Sequence, residues 1–436
     1  MSAAIEKRFK AQLQQMLEPK RWLIGHSGGL DSQVLLHLAN KTLPPDRLLV
    51  LHVNHHLQQS ADSWAAFSAN QAKQLGLKHI SLDAFPESCS EDAARRARYE
   101  AFKSIMTNGD CLLLGHHGDD QVETLLFRLL RGAGLKGLSG IPKNRDLESG
   151  MLYRPLLGML RQELEAYAEQ HGLQWIDDPS NQSDRYDRNF LRLNVLPVLE
   201  KRWPGFRQRG LATAEQLGAS QRLLAEYLDR DLSALIGSLG ELQLTQMAGF
   251  SEERQHHLLR RWVELGSGLL LNQPQLLEIQ KTLIDARADA QPQLRLGGLV
   301  IRRYQQALYL TERQTGEPLN LSELSPGEHK LGDGYLLVEP SEVGLKTLDG
   351  ICLERRKSGE RCRPVGRGGS CTVKKLLQEA GIPPWLKAHW PLLKSGDEVV
   401  AVPGICVCEN WDTKSGGFNV SWHSFALSRT RSFGIL

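Results

Sequence analysis

No stretch of the chain approaches the apolar length that crosses a membrane. The amino-terminal MSAAIEKRFKAQLQQML interleaves charges where a signal peptide needs an unbroken apolar core. Membrane-spanning and exported classes are therefore not expected, and a cytoplasmic location is. Cysteine is sparse: the seven residues at 89, 111, 352, 362, 371, 406 and 408 are too scattered for a disulfide framework and form no CxxC pair. Cys406-Val-Cys408 reads as two positions of one strand. The net charge is only +3, so a polyanionic partner has to be argued from local basic patches. Internal repeats and low-complexity tracts are also lacking. What is ample is length: 436 residues with ordinary apolar and charged fractions, enough for about two to three domains.

The most informative run is His26-Ser27-Gly28-Gly29-Leu30-Asp31-Ser32, which follows apolar Trp22-Leu23-Ile24 and leads into an apolar-periodic segment. Strand, glycine-rich turn and helix is the expected order. Two glycines let a phosphate approach the backbone, and amides at the helix start point at the anion with the helix dipole behind them. Ser27 and Ser32 add hydroxyl donors. A carboxylate beside a phosphate repels it unless a divalent cation bridges the two, so Asp31 implies magnesium. The run lacks the Lys of a Walker A loop and the glycine spacing of a dinucleotide fingerprint.

Short apolar runs alternate with helical patterns up to about residue 130, as expected of a doubly wound parallel α/β sheet. Strands are expected at Trp22–Ile24, Leu48–Asn54, His79–Leu82 and Cys111–Gly115. Helices should follow at Ser32–Ala39, Ala61–Leu75, Glu91–Met106 and Asp119–Leu130, the third opened by a capping box of Ser88 with Glu91. Loops after Gly25, Asn54 and Gly115 then share one sheet edge, where ligands of such folds bind. This adds His55 and Gly115 to the nucleotide candidates. We expect this domain over 1–212. A small all-α domain should cover 213–315, with alternating strand patterns near its end from 292 to 312, and a mixed α/β domain should cover 316–436.

Gly115-His116-His117-Gly118-Asp119-Asp120-Gln121-Val122-Glu123 opens a helix on that edge. Asp120 and Glu123, at i and i+3, share a helical face and could hold a metal or a substrate ammonium and take its proton. His52, His55, His56, His116 and His117 invite a zinc assignment. On an extended strand, however, His52 and His56 share a face that His55 leaves, and no cysteine lies at ligand spacing. Hydrogen bonding to nucleotide or loop backbone is the better use for these rings.

Arg95 and Arg98 share a helical face and could pair with carboxylate or phosphate. Arg131-Gly-Ala-Gly-Leu-Lys136-Gly-Leu-Ser-Gly reads as a second loop that approaches an anion. Downstream, Asp178-Pro179-Ser180-Asn181 precedes Arg185, Arg188, Asn189 and Arg192, with Tyr186, Phe190, Trp203 and Phe206 interleaved, a composition suited to an RNA surface. Between Ile351 and Ser395 there are ten Lys or Arg against three acids. Arg355, Arg356, Lys357, Arg361, Arg363, Arg367, Lys374 and Lys375 suggest a clamp on a phosphate backbone.

SGGLDS resembles the pyrophosphate loop of the PP-loop ATPases, with the adenine nucleotide α-hydrolase-like fold. In order, SGGLDS, HVNHH, ARRARY, GHHGDDQVET, LRGAGLKGLSG, DDPSNQSDRYDRNFLR and PVGRGGSCTVKKLLQEAGIPPWLKAHWPLL resemble the longer form of the tRNA(Ile)-lysidine synthase family. Gly118 departs from that pattern, standing where a small residue such as Ala is common, which should be harmless.

The resemblance implies that ATP adenylates C2 of the wobble cytidine of a CAU-anticodon isoleucine tRNA. The ε-amine of free lysine then displaces AMP. It further implies that Ser27, Gly28, Gly29, Leu30, Asp31 and Ser32 hold ATP and that Asp31 ligates magnesium. Asp120 and Glu123 receive lysine, with Arg95 or Arg98 pairing with carboxylate or phosphate. Arg188 and Arg192 are open between the α-phosphate, the lysine carboxylate and the target nucleotide, with His116, His117, Arg131 and Asn189 as further contacts. The basic carboxy-terminal domain would hold a distant part of the tRNA. A PP-loop tRNA thiolation enzyme lacks its usual paired cysteines here, a non-catalytic tRNA-binding protein would not need Asp31, Asp120 and Glu123 together, and an amidotransferase lacks a glutaminase domain. Oligomeric state is not legible, a homodimer being left open.

Overall fold

The computed structural model describes residues 2–14, 16, 18–56, 60–88, 90–147, 149–178, 184, 187–237, 240–287, 290–312, 320–321, 323–331 and 334–424. Pro179, Ser180, Asn181, Arg185, Tyr186 and Cys89 lie outside the described residues. Two compact units, Met1–Leu223 and Leu224–Leu436, divide the chain.

The first unit opens with helix α1 (Ser2–Leu13) and then alternates β1 (Trp22–Gly25), α2 (Leu30–Thr42), β2 (Leu48–Asn54), α3 (Ala61–Gln74), β3 (Lys78–Asp83), α4 (Glu91–Ile105), β4 (Asp110–Leu113) and α5 (Gly118–Leu130). After the single turn α6 (Leu135–Leu138) come β5 (Asn144–Leu147), β6 (Gly150–Tyr153) and α7 (Arg161–Gln170). Six strands pair in the order β3-β2-β1-β4-β6-β5, all parallel except β5 against β6. Period-two alternation sends Trp22, Ile24, Val50 and Leu113 to one face, against α1, α2 and α7. Leu23, Leu51, Leu112 and Leu152 go to the other, against Phe102 of α4. Both faces are covered, which is why these strands read as continuous apolar runs. The winding reverses between β1 and β4, so the turns after Gly25 and Leu113 flank the crevice of the switch point.

Two sequence expectations need local correction. The cap of α4 is Ser90, whose side chain accepts from the Ala93 amide, and Ser88 only bonds the Ser90 hydroxyl at 3.0 Å. The Ser nearest the helical φ/ψ switch wins the capping role. Strand β2 ends at Asn54, so His56 does not share its face with His52 but sits at φ 53° beyond the strand.

Helices α8 (Asp187–Phe190), α9 (Leu196–Arg202) and α10 (Phe206–Leu235) follow, with a π-helical turn over Leu191–Val195 between the first two. In the second unit the helices Glu252–Ser267 and Gln273–Ile279 share a core with the strands Gln293–Leu296, Leu299–Tyr304 and Ala307–Glu312 of a four-stranded antiparallel sheet. Beyond it, two five-stranded sheets and the hairpin Arg361–Cys362 with Cys371–Thr372 enclose a core around Leu353, Leu377, Trp390 and Val400. The six described cysteines are free. No helix among the described residues is long and apolar enough to cross a membrane.

Candidate active site

Gly28 adopts φ 89°, which strains any side chain here, and its missing Cβ would also press on Ile176 Cδ1 at 3.1 Å. The turn is organised by Ser32: its hydroxyl accepts from the Ser27 and Gly28 amides at 3.2 Å each and donates to the Gly29 carbonyl at 2.9 Å. Leu30 is buried beneath the start of α2. Gly115, after β4, lies so close that a Cβ would meet the Asp31 carbonyl oxygen at 3.0 Å. Behind the turn, His26 bonds Ser68 Oγ and Gln33 Oε1 at 2.8 Å each, and burial pushes its ring down to about 4. It is a neutral strut.

Across the crevice His117 caps α5. Its Nδ1 accepts from the Asp119 amide at 3.2 Å, and its own amide donates to Asp120 Oδ2 at 2.9 Å. A ring accepting at Nδ1 carries its proton on Nε2 when neutral. That nitrogen lies 3.6 Å from Asp31 Oδ2 and 3.8 Å from Asp120 Oδ2. The phosphate-loop carboxylate and the α5 carboxylate thus meet at one imidazole. Asp31 also faces Arg161 at 3.7 Å, and its buried Oδ1 has no hydrogen-bond partner among the described residues. Burial, opposed by His117 and Arg161, leaves the Asp31 carboxyl above the usual carboxylate range.

One helical turn on, Glu123 is gripped by Arg192 through Nε at 2.7 Å and Nη2 at 2.9 Å, and the same guanidinium reaches Asp120 Oδ1 at 3.4 Å. The π-helical turn carries Arg192, an element frequent at functional sites. Burial pushes the Glu123 carboxyl up against the pull of Arg192. Asp120 goes the other way: against burial, His117, His116 and Arg192 hold it below its ordinary value. The bidentate geometry keeps the Glu123 contact an ion pair.

His116 accepts at Nδ1 from Arg154, and burial and the neighbouring cations Arg154, Arg98 and Arg95 push its ring well down. Arg98 donates to His55 Nε2 at 3.4 Å, and Arg95 lies over the Tyr99 ring at 5.7 Å. His52 bonds the His26 carbonyl and His56 bonds Asp83, so these rings serve hydrogen bonding. No group of three His, Cys, Asp or Glu among the described residues is arranged to hold a metal.

Two glycines of the second glycine loop have packing roles. A Cβ on Gly140 would strike Gln121 Oε1 and one on Gly137 would meet Ala133 Cβ at 2.6 Å, while Arg128 donates to the carbonyls of both glycines. Packing under α5 accounts for Gly137 and Gly140, whereas Gly132 and Gly134 have open space where a Cβ would stand. Arg131 stacks on Phe127 at 4.5 Å from its centroid. Gly118 is more than a harmless departure, because a Cβ there would lie 2.9 Å from the Met159 carbonyl oxygen. Arg188 and Asn189 are partly buried on α8. Sequence reasoning missed Arg161, whose guanidinium faces Asp31 while its backbone amide donates to Asp119, and Arg207, whose guanidinium pins Asp119 from α10. It also missed Arg154, since only the folded chain brings them there.

In the second unit Arg361, Arg363, Arg367, Lys357, Lys374 and Lys375 are exposed. Arg367 is paired with Glu379 at 2.5 and 2.9 Å, whereas Arg355 bonds His389 and Arg356 the Lys387 carbonyl, both half-buried. Lys394, buried between Glu354 and Glu360, is structural.

A parallel sheet whose switch point carries this glycine turn defines a PP-loop domain, and the model of that domain matches residues 1–199. A TilS substrate binding domain matches 242–309 and a TilS substrate C-terminal domain 351–422. The tRNA(Ile)-lysidine synthase of Serratia proteamaculans is 39% identical over 94% of this chain and 97% of its own. That of Coxiella burnetii is 37% identical over 91% and 92%, and that of Escherichia coli O157:H7 37% over 89% and 93%. The chain belongs to the tRNA(Ile)-lysidine synthase family.

Proposed function

We propose that the chain joins free L-lysine to C2 of the wobble cytidine of CAU-anticodon isoleucine tRNA in the cytoplasm, splitting ATP to AMP and pyrophosphate. The cytidine oxygen O2 attacks the α-phosphate and pyrophosphate leaves. The lysine ε-amine then attacks C2, AMP departs with O2, and the amine loses a proton. The observation that carries this reading is the single imidazole, His117, bridging the phosphate-loop carboxylate Asp31 and the amine-side carboxylate Asp120.

Ser27, Gly28, Gly29 and Ser32 cradle the phosphates, with His55 and Gly115 beside the nucleotide. The orphaned, buried Oδ1 of Asp31 fits a divalent cation, the chemistry expected of magnesium at this loop. When bound, magnesium neutralises the leaving pyrophosphate. Asp120 and Glu123 already hold one cation, Arg192, which supports them as the seat of the lysine ammonium and as acceptors of its proton. Arg95, Arg98, Arg131, Arg188 and His116 line the approach for carboxylate and phosphate groups. The exposed Arg361, Arg363, Lys374 and Lys375 hold a distant part of the tRNA. We divide the chain at 212 and 315, into catalytic, middle and tRNA-binding domains.

The test is transfer of labelled lysine to unmodified CAU-anticodon isoleucine tRNA, with the matching methionine tRNA as control. Label entering only the isoleucine tRNA supports the reading, and ATP splitting without transfer overturns it. Asp31→Ala should abolish adenylation while tRNA affinity stays near normal. Full turnover by that variant would remove the magnesium role.

A further inference from the structure

Arg154, in the turn after β6, is 2% exposed, and among the described residues its guanidinium has no acidic partner. Such a buried cation is costly unless every donor is used. Its Nη1 donates to the Pro142 carbonyl at 2.7 Å, Nη2 to the Tyr99 hydroxyl at 3.1 Å, and Nε to His116 Nδ1 at 3.2 Å. A guanidinium can only donate, so the last contact makes Nδ1 of His116 a lone-pair acceptor. The ring proton is then confined to Nε2. The nearby charges of Arg95, Arg98 and Asp120 set its electrostatic surroundings.

We propose that Arg154 is a positioning residue of the reaction: it acts through His116, locking the imidazole as an Nε2–H donor toward an oxygen acceptor at the junction of cytidine O2 and the α-phosphate. This rests on the lysidine-forming reading above. The acceptor class follows from the lock, since an oxygen gaining negative charge takes a fixed donor and a substrate proton donor does not. The uncompensated guanidinium behind the ring adds a positive potential that favours the same oxygen as AMP departs. Fixing a histidine's tautomer from behind is the role an outer partner plays for other functional imidazoles.

The experiment uses the full chain with 15N-labelled histidine and three variants, Arg154→Met, Arg154→Lys and His116→Gln. In the wild type the His116 nitrogens should read as unprotonated Nδ1 and protonated Nε2. In Arg154→Met the ring should become a mixture of tautomers. Lysine transfer should fall by about 10- to 100-fold, with the KM for ATP changed less than about twofold. Arg154→Lys, which keeps the charge, should recover part of the rate and serves if the Met variant fails to fold. Combining an Arg154 variant with His116→Gln should cost no more than His116→Gln alone. Additive losses, or an unchanged His116 tautomer in a folded Arg154 variant, overturn the proposal. A shifted tautomer in a protein whose wild type transfers no lysine would overturn the lysidine reading and leave the Arg154–His116 lock standing.

Discussion

At the scale of the residue, Glu123 shows how one carboxylate answers to two demands. It is buried, yet it is satisfied by a bidentate guanidinium from a turn almost seventy positions away. Glu123→Gln keeps the shape and one acceptor but removes the charge. It should lower kcat/KM for lysine at least tenfold and leave the KM for ATP within about twofold, because it touches only the cation end of the crevice. Steady-state kinetics in each substrate separates the two, and equal losses would make the role structural. His26 makes a second residue-scale prediction. Its folded value near 4 lies below the ordinary 6.5, so folding excludes the proton. Its stability is fully present above 6.5 and is lost as pH falls through the window from 6.5 to 4, by about 3 kcal/mol at the bottom. Urea unfolding at stepped pH, wild type against His26→Asn, should show the steeper wild-type loss in that window.

At the scale of the element, the spacing of α2 and β4 depends on Gly115. A methyl 3.0 Å from the Asp31 carbonyl oxygen cannot be accommodated without moving the start of α2. Gly115→Ala should cost about 1–3 kcal/mol in unfolding free energy and raise the KM for ATP. A melting point and ATP kinetics matching wild type would refute the close approach. Most elements were legible: β2 spans Leu48–Asn54 as read, and the other three expected strands and four expected helices differ at their ends by a few residues, but the edge strands β5 and β6 were not read from the sequence. Apolar runs and glycine turns are local signals. Where local signals compete, as between Ser88 and Ser90, the residue pattern alone does not decide. Gly137 and Gly140 are ambiguous for a related reason, since a glycine demanded by packing under α5 reads the same as one demanded by an anion. Arg154 and Arg207 were illegible because their meaning lies in partners 38 and 88 positions away, and Arg161 because its guanidinium faces the distant Asp31.

At the scale of the whole molecule, the carboxy-terminal sheets are knitted by pairing of Gly334–Ser341 with Gly417–Ser424. Cutting the chain near 340 would split that ladder and confound loss of charge with loss of fold. Removing charge alone is the cleaner test. Changing Arg361, Arg363, Lys374 and Lys375 to Ala should weaken tRNA binding and flatten the slope of log affinity against log salt. The flattening should be about 0.7–0.9 for each phosphate that is no longer neutralised. An unchanged slope, measured by filter binding at four salt concentrations, would assign these cations to another partner. Charge density in this segment was plain from sequence, but its internal pairing was not: Arg367 commits its guanidinium to Glu379, and Arg355 and Arg356 are built into the fold.

The Ser32 hydroxyl, which takes up the Ser27 and Gly28 amides, is a place-holder for an anion. Because those donors are already engaged and the turn already shaped, nucleotide arrival exchanges one set of acceptors for another instead of ordering a slack segment. The entropy of closing the turn is spent during folding, once, and not at every catalytic cycle.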